Sequence, residues 1–267
     1  MSSRAFTKPN LLFIILGGFF VTNALMAEFV GVKIFSLEKT LGLEPVNWTI
    51  LGVDGLGLNL TTGVLIWPVV FVLTDVVNEY FGKKGVQILS FMAVGMIIYA
   101  FFIVYVAIDL IPADFWPTSH LSVITDEMQK QELAKDVGNY NKAFGLVFGQ
   151  GLWIIFGSLV AFLIGQFIDV MVFQRIKRWT GERQVWLRAT GSTLISQFID
   201  SFVVLFIAFY VGAGWSMVMV LAIGLVNYIY KFVVAIVLTP VIYLAHDIID
   251  RYLGEELAES MKKEALE

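Results

Sequence analysis

The chain has 267 residues, of which 58% are hydrophobic and only 15% charged, with a mean hydropathy of +0.80. That balance excludes an ordinary soluble domain and requires an integral membrane protein. A net charge of -4, with the basic residues split among short loops, excludes a nucleic-acid partner, and the lack of cysteine excludes disulfides, thiolate nucleophiles and sulfur metal ligands. His120 and His246 are the only imidazoles, both outside the apolar runs, and read as surface residues rather than as a metal site.

The first expected span covers about 11–30. Arg4 and Lys8 before it suggest a signal peptide, but the run is long and lacks an A-x-A site, so it reads as retained. Asn23 near its middle is open between an interhelical hydrogen bond and substrate contact, and Glu28 lies toward the outer end. Residues 33–57 hold Gly42, Pro45, Gly52, Gly55 and Gly57, which predicts a loop or short amphipathic element outside the membrane. The second span is expected over about 58–81, with a kink at Pro68 and with Pro68, Phe71, Asp75, Asn78 and Glu79 on one side. Glu79 has Lys83 and Lys84 of the closing GKKG as natural partners, whereas Asp75 lies deeper.

The third span, 86–110, is nearly free of polar residues and reads as packing and lipid contact. Residues 111–142 form the largest polar segment, an exposed loop with one short helix, and its DFWPTSH start reads as an interfacial anchor. The fourth span, about 144–173, carries Gly145, Gly149, Gly151, Gly157, Ser158 and Gly165, which permit close helix approach. Gln166 and Asp169 lie near its inner end, on the side of Ser158, Phe162 and Gly165. A loop with Arg175, Lys177, Arg178, Arg183 and Arg188 follows.

The fifth span, from Leu187 to about Val211, has the strongest chemical pattern. Ser192, Thr193, Ser196, Gln197 and Asp200 fall within an arc of roughly 140°, with Leu194, Ile195, Phe198 and Phe202 opposite. Asp200 lies about 16 Å along the axis, near the centre of a hydrocarbon layer about 30 Å thick. A carboxylate there costs on the order of 2.5 to 3.5 kcal/mol and must face protein, water or a ligand. In the sixth span, 217–244, Gly224, Asn227 and Lys231 fall within about 60° of one another. Lys231 is about 21 Å from the outer start of that helix, too deep for an end-cap. The tail after His246 is charged and reads as a surface helix.

Arg4, Lys8, Lys83, Lys84, Arg175, Lys177, Arg178, Arg183, Arg188, Arg251, Lys262 and Lys263 fall on one side of this arrangement; Lys33, Lys39, Lys130, Lys135 and Lys142 fall on the other. The bias predicts an all-α polytopic membrane protein with six transmembrane helices and both termini cytoplasmic. QFID occurs twice, ending at Asp169 and Asp200, but the two copies sit at different depths, so chance re-use is preferred over an inverted repeat.

WPVVFVLTDVVNEYFGKKGV, from Trp67 to Val86, and RATGSTLISQFIDSF, from Arg188 to Phe202, resemble the queuosine precursor transporter family, also called the vitamin uptake transporter family. The resemblance implies a multi-pass importer of the cell inner membrane for 7-deazaguanine bases such as 7-cyano-7-deazaguanine and 7-aminomethyl-7-deazaguanine, salvaged for tRNA queuosine. The spans and loops read from the residues give a transporter domain over 1–246, with an extramembrane loop at about 111–142, and a charged cytoplasmic tail over 247–267. The expected substrate contacts are Asp200, Gln197, Ser196, Asn227, Lys231, Asp75, Asn78 and Asn23, with Phe71, Tyr228 or Tyr230 stacking on the base. A guanine-like edge offers adjacent N–H donors that one carboxylate can accept, and an amide can serve its carbonyl and ring nitrogen.

Lys231 could pair with Asp200 or Asp75 in the empty state. Five acids in the spans, Glu28, Asp75, Glu79, Asp169 and Asp200, against one lysine suggest proton coupling, with Asp75, Glu79 and Asp169 as carriers. No G-x-x-x-x-G-K-[ST] loop is present, no cofactor or metal is expected, and a homodimer or a separate energising partner stays open. The other readings are an importer of a different vitamin-like heterocycle, an intramembrane enzyme, which lacks a G-x-S-x-G elbow or a histidine base, and a noncatalytic scaffold.

Overall fold

The computed structural model describes residues 7–119, 121, 124–136, 140–149, 151–181 and 184–266; Arg4, His120 and Arg183 lie outside the described residues. Among the described residues, five helical stretches are long and apolar enough to cross a membrane: Lys8–Val30, Trp67–Asp109, Tyr140–Thr180, which two successive helices make up, Val185–Val211 and Met217–Val237. Helix α1 is Lys8–Val30, with Thr7 capping its start through a hydrogen bond from Asn10 N.

Residues 33–57 are more ordered than a loop. Strand β1 (Ile34–Ser36) pairs antiparallel with β4 (Asn59–Thr61), and β2 (Trp48–Ile50) pairs with β3 (Val53–Leu56); the short helix α2 (Leu37–Thr40) follows β1. Glu38, buried, fixes this region by accepting from Leu58 N at 2.7 Å and from Ser36 Oγ at 3.1 Å. The strand and a following 3-10 turn, Thr62–Leu65, occupy residues expected to begin the second span. Helix α3 therefore starts later, at Trp67, and Pro68 stands in its first turn, where its missing N–H costs nothing and no kink results.

The break in α3 (Trp67–Asp109) comes at Gly82, whose φ of 65° and ψ of -170° are not helical. A straight 43-residue helix would be about 65 Å long, twice the ~30 Å hydrocarbon layer, so a glycine able to take this conformation is what makes two arms out of one apolar run. A Cβ on Gly82 would also lie 2.7 Å from Ala265 O.

The chain forms two compact units. Residues 98–151 make one, with α4 (Trp116–Ser119) and α5 (Glu127–Asp136) in the segment expected to hold one short helix, and α6 (Tyr140–Phe148) mostly within the start of the expected fourth span. Within it the Trp116 ring packs edge-on against Tyr140 and Phe144 at centroid distances of 4.8 and 5.8 Å.

The other unit contains everything else, centred on α7 (Leu152–Thr180) and α8 (Val185–Leu205). Their close approach depends on small residues: a Cβ on Gly157 would stand 3.2 Å from Val204 O, and one on Gly165 would touch Asp200 Cβ at 3.7 Å. Helix α8 continues into a π-helical turn, Phe206–Val211. Then come α9 (Met217–Val237), α10 (Thr239–Leu253) and α11 (Glu255–Glu264). On α8 the polar arc faces inward, with Ser192, Thr193, Ser196 and Gln197 buried, while Ile195 and Phe198 are exposed.

Arg175, Lys177 and Arg178 belong to α7 and Arg188 to α8, so the basic segment is mostly helix rather than loop. His246 is buried, not a surface residue: Tyr80 OH lies 3.2 Å from its Nδ1 and donates to Asp250 at 2.7 Å. Helix α11 packs Ala258 and Met261 inward, and Lys262 pairs with Asp250 at 2.8 Å.

Two outcomes follow. Replacing Gly82 with Ala adds left-handed strain and a clash, and should destabilise the protein by about 1 kcal/mol or more in a detergent melt, an effect that shrinks when residues 265–267 are also removed. Burial pushes the His246 imidazole down to about 4, with the positive charges of Lys262, Arg188 and Lys177 acting the same way and Asp250 opposing. The unfolded chain therefore binds the extra proton first as pH falls, so this contribution, up to about 3 kcal/mol, is intact above pH ~6.5 and lost toward pH ~4. His246→Gln should flatten the melting temperature over that window; an unchanged acid slope would rule the assignment out.

Candidate functional site

Inside the larger unit, hydroxyls, amides and charges on α1, α3, α7 and α8 meet in successive pairs. Ser158 Oγ donates to Glu28 at 3.0 Å, Thr74 Oγ1 to Gln166 Oε1 at 3.1 Å, Thr193 Oγ1 to Asp75 at 3.5 Å, Ser196 Oγ to Asp169 at 3.1 Å, and Gln174 Nε2 to Asn78 Oδ1 at 2.7 Å. Each is a polar group that hydrocarbon could not solvate, so each needs a neighbour on another helix. At the basic end, Glu79 is fully buried between two cations, Arg188 Nη2 at 2.7 Å and Lys177 Nζ at 3.2 Å. Arg188 also reaches Gly181 O at 2.7 Å, and Lys177 reaches Glu79 O and Lys262 O, both at 3.1 Å. One carboxylate thus ties α3, α7, α8 and the segment after α10 together. The expected Lys83 and Lys84 partners are exposed instead.

Toward the other end lies a cavity of about 360 Å³, within the ~300–1,000 Å³ usual for small-molecule sites. On its wall Lys231 Nζ on α9 meets Asp200 Oδ2 on α8 at 2.5 Å, and both side chains are still partly accessible, 19% and 17%. Asn227 lines the same cavity. Its walls are aromatic: Trp67 packs on Phe71 and Phe162 at 6.4 and 5.4 Å, and Phe209 on Trp215 at 4.5 Å. Its remaining wall comes from β1, β3, β4 and Gly57 between the last two.

A second, smaller cavity of about 50 Å³ shares Trp67, Phe71 and Lys231 with the first and continues to Asp75, Thr193, Gln197 and Tyr230. Here Asp75 Oδ1 and Gln197 Nε2 are buried and have no hydrogen-bond partner among the described residues. An acceptor and a donor on the lining of one cavity are thus left available, which is what a planar solute with mixed edges would satisfy.

Of the residues singled out from the sequence, Asp200, Lys231, Asn227 and Phe71 meet at the larger cavity, and Asp75, Gln197 and Tyr230 at the smaller one. Ser196, Asn78 and Asp169 are buried in the polar seam and line neither. Asn23 bonds back to Phe19 O at 2.8 Å, an arrangement within its own helix. Tyr228 packs edge-on against Phe198 at 5.1 Å, on a face where Phe198 is exposed. Trp67, Phe162, Phe209 and Trp215 were not singled out as stacking residues; the aromatic spacing of W-x3-F from Trp67 to Phe71 was the available signal. Among the described residues no group of three His, Asp or Glu side chains could hold a metal ion.

Residues 61–245 match a family model described as "Putative vitamin uptake transporter". The chain belongs to the vitamin uptake transporter family. It is a family of transporters and not of enzymes, and the chain is a multi-pass protein of the cell inner membrane that handles a small molecule. The chain is 27% identical over 201 residues to the probable queuosine precursor transporter of Bacillus subtilis, covering 74% of this chain and 76% of that one. It is also 27% identical over 212 residues to the queuosine precursor transporter of Escherichia coli, 76% and 80% covered, and 27% identical over 179 residues to the probable one of Haemophilus influenzae, 67% and 64% covered. No solved structure gives a significant match.

In this transporter Glu79 has a structural task that a melt can test. Glu79→Ala leaves Lys177 and Arg188 buried without their carboxylate and should cost about 3–5 kcal/mol, whereas replacing all three with apolar residues of similar volume should cost less. A single variant that melts like the parent protein would contradict this.

Proposed function

We propose that the chain imports queuosine precursors, 7-deazaguanine bases such as 7-cyano-7-deazaguanine and 7-aminomethyl-7-deazaguanine, and that Asp200, Lys231 and Asn227 read the edge of the base. The observation that carries this reading is the Asp200–Lys231 ion pair lining an aromatic-walled cavity and still partly accessible. In the empty state the two charges satisfy each other. An arriving base offers Asp200 two N–H donors in place of the ammonium, and the released Lys231 donates to a base carbonyl or nitrile, with Asn227 beside it. Phe71 and Trp67 cover the face of the ring.

From there the base passes Phe71 to the smaller cavity, where Asp75 and Gln197 offer the acceptor and donor left open. Movement of Phe71 and Lys231 would join the two chambers, because both residues line each of them. The Glu79, Lys177 and Arg188 cluster closes the way beyond.

Proton coupling is assigned to Asp75 and Asp169. Both are buried, their charges act on each other, and each has one oxygen on a hydroxyl and one without a partner among the described residues, a place where a bound proton would sit. Glu79 is left out of that role because two cations neutralise it. The topology we propose has six crossings, with the two arms of α3 counted separately at Gly82 and both termini cytoplasmic, as the bias of lysine and arginine supports.

Cells that lack their own importer and express this chain should accumulate radiolabelled 7-deazaguanines. Asp200→Ala, at preserved expression, should weaken uptake by roughly 30-fold or more, the loss of about 2 kcal/mol or more from truncating one partner of a largely desolvated charge pair. Retained uptake by that variant contradicts the site, and accumulation of a different heterocycle instead contradicts the substrate. Purified protein in liposomes should accumulate base faster with an inward proton gradient than without one; equal rates would remove proton coupling.

A further inference from the structure

The basic end of the larger unit has an opening that the transport reading leaves unused. A cavity of about 700 Å³ is lined there by Lys83, Lys84, Arg175 and Arg178, with Glu264 the one carboxylate among its lining residues. All four cations are exposed, and none belongs to an ion pair among the described residues. Two of them lie on aromatic faces: Lys83 Nζ is 5.6 Å from the Phe167 ring centre, and the Arg175 guanidinium is 5.7 Å from that of Trp179. Trp179 itself is 75% exposed, as expected of a ring at a membrane interface.

This pocket runs into a second space. A groove of about 120 Å³ shares Lys83 and Val170 with it and extends along the second arm of α3 and α7, with Val86, Phe91, Leu163 and Phe167 as its apolar walls. Two donors break that apolar lining. Ser90 Oγ and Gln166 Nε2 are each on a side chain only 3% exposed, and neither has a hydrogen-bond partner among the described residues. Buried donors without acceptors are costly, and in an apolar groove open to lipid they call for an oxygen that the protein does not supply.

We propose that the basic pocket and the groove together bind one anionic phospholipid. The phosphate sits among Lys83, Lys84, Arg175 and Arg178; the glycerol ester carbonyls accept from Ser90 and Gln166; the acyl chain follows the groove past Phe91 and Leu163. The Lys83 ammonium over Phe167, the neighbour of Gln166, brings the positive charge down to the mouth of the groove, so headgroup and ester are met in succession. A free phosphate would use the pocket alone and leave both donors unanswered. The excess of four cations over one carboxylate favours an anionic headgroup over a zwitterionic one. Such a lipid would brace the corner of α3, since Lys83 adjoins the break at Gly82.

The test is native mass spectrometry of the full chain released from detergent, titrated separately with phosphatidylglycerol and with phosphatidylethanolamine of matched acyl chains. One phosphatidylglycerol should bind in preference to phosphatidylethanolamine, and Lys84→Gln, Arg175→Gln and Arg178→Gln should each weaken it roughly fivefold. Ser90→Leu, which fills the groove and changes no charge, should also displace the lipid; if that variant does not fold, Phe91→Trp at the exposed wall replaces it. Equal binding of the two lipids, or glutamine variants that bind like the parent protein, would overturn the proposal. So would a groove-filling variant with unchanged binding, which would mean that no acyl chain lies in the groove, or thermal protection by inorganic phosphate equal to that by the lipid, which would mean that an ion and not a phospholipid occupies the pocket. None of these readouts depends on transport.

Discussion

A charged group held away from water must find its counter-charge within the protein, and this chain meets that demand at Glu79, whose Oε1 is held by both Arg188 and Lys177. The consequences spread outward from it. Arg188 is held at the start of α8 and fastens the turn at Gly181; Lys177 is held near the end of α7 and reaches the backbone of Lys262. Four separate parts of the chain are therefore fixed in register at the basic end. From that fixed end the polar seam climbs through Asn78, Asp169, Asp75 and Gln166 to Glu28, each answered by a hydroxyl or amide on a neighbouring helix.

The seam also explains why the accessible site lies where it does. Around Glu79, Lys177 and Arg188 the charged groups are buried against one another. Farther along, Gly165 lets α7 close on α8 beside Asp200, and Gly224 admits the Phe202 ring against α9. These contacts set α8 and α9 at a separation that Asp200 and Lys231 bridge, while Trp67, Phe71 and Phe162 enclose the space next to them. The Asp200–Lys231 pair differs from the Glu79 cluster in one decisive respect: it remains partly accessible, as the exchange with a ligand that we propose requires. A fully buried ion pair and a partly accessible one sit at two levels of the same helix α8.

Much of this was legible in the sequence. The apolar runs and the 3.6-residue period placed the helices, and the inward face of α8 from Ser192 to Asp200 followed from the arc that its polar residues share. Asp200 and Lys231 were recognisable because each lies too deep for an end-cap. The hairpins were not legible: three- and four-residue strands broken by Gly52, Gly55 and Gly57 have too few residues for a period-2 signal, yet they form a wall of the larger cavity. Nor were the partners of Glu79, since basic residues beside an apolar run read as boundary markers, and a contact between residues 109 positions apart leaves no local trace. Pro68 looked like a kink because the hydropathy run begins before the helix does. The repeated QFID shows the limit of motif reading: Asp169 is enclosed by Ser196, whereas Asp200 faces the cavity.

The most direct test of this account is a structure of the protein with a 7-deazaguanine base bound. The base should lie in the larger cavity beside Phe71, with its N–H edge on Asp200 and with the 2.5 Å contact between Asp200 and Lys231 opened to admit it. A base bound elsewhere, or bound while that contact stays closed, would contradict the account.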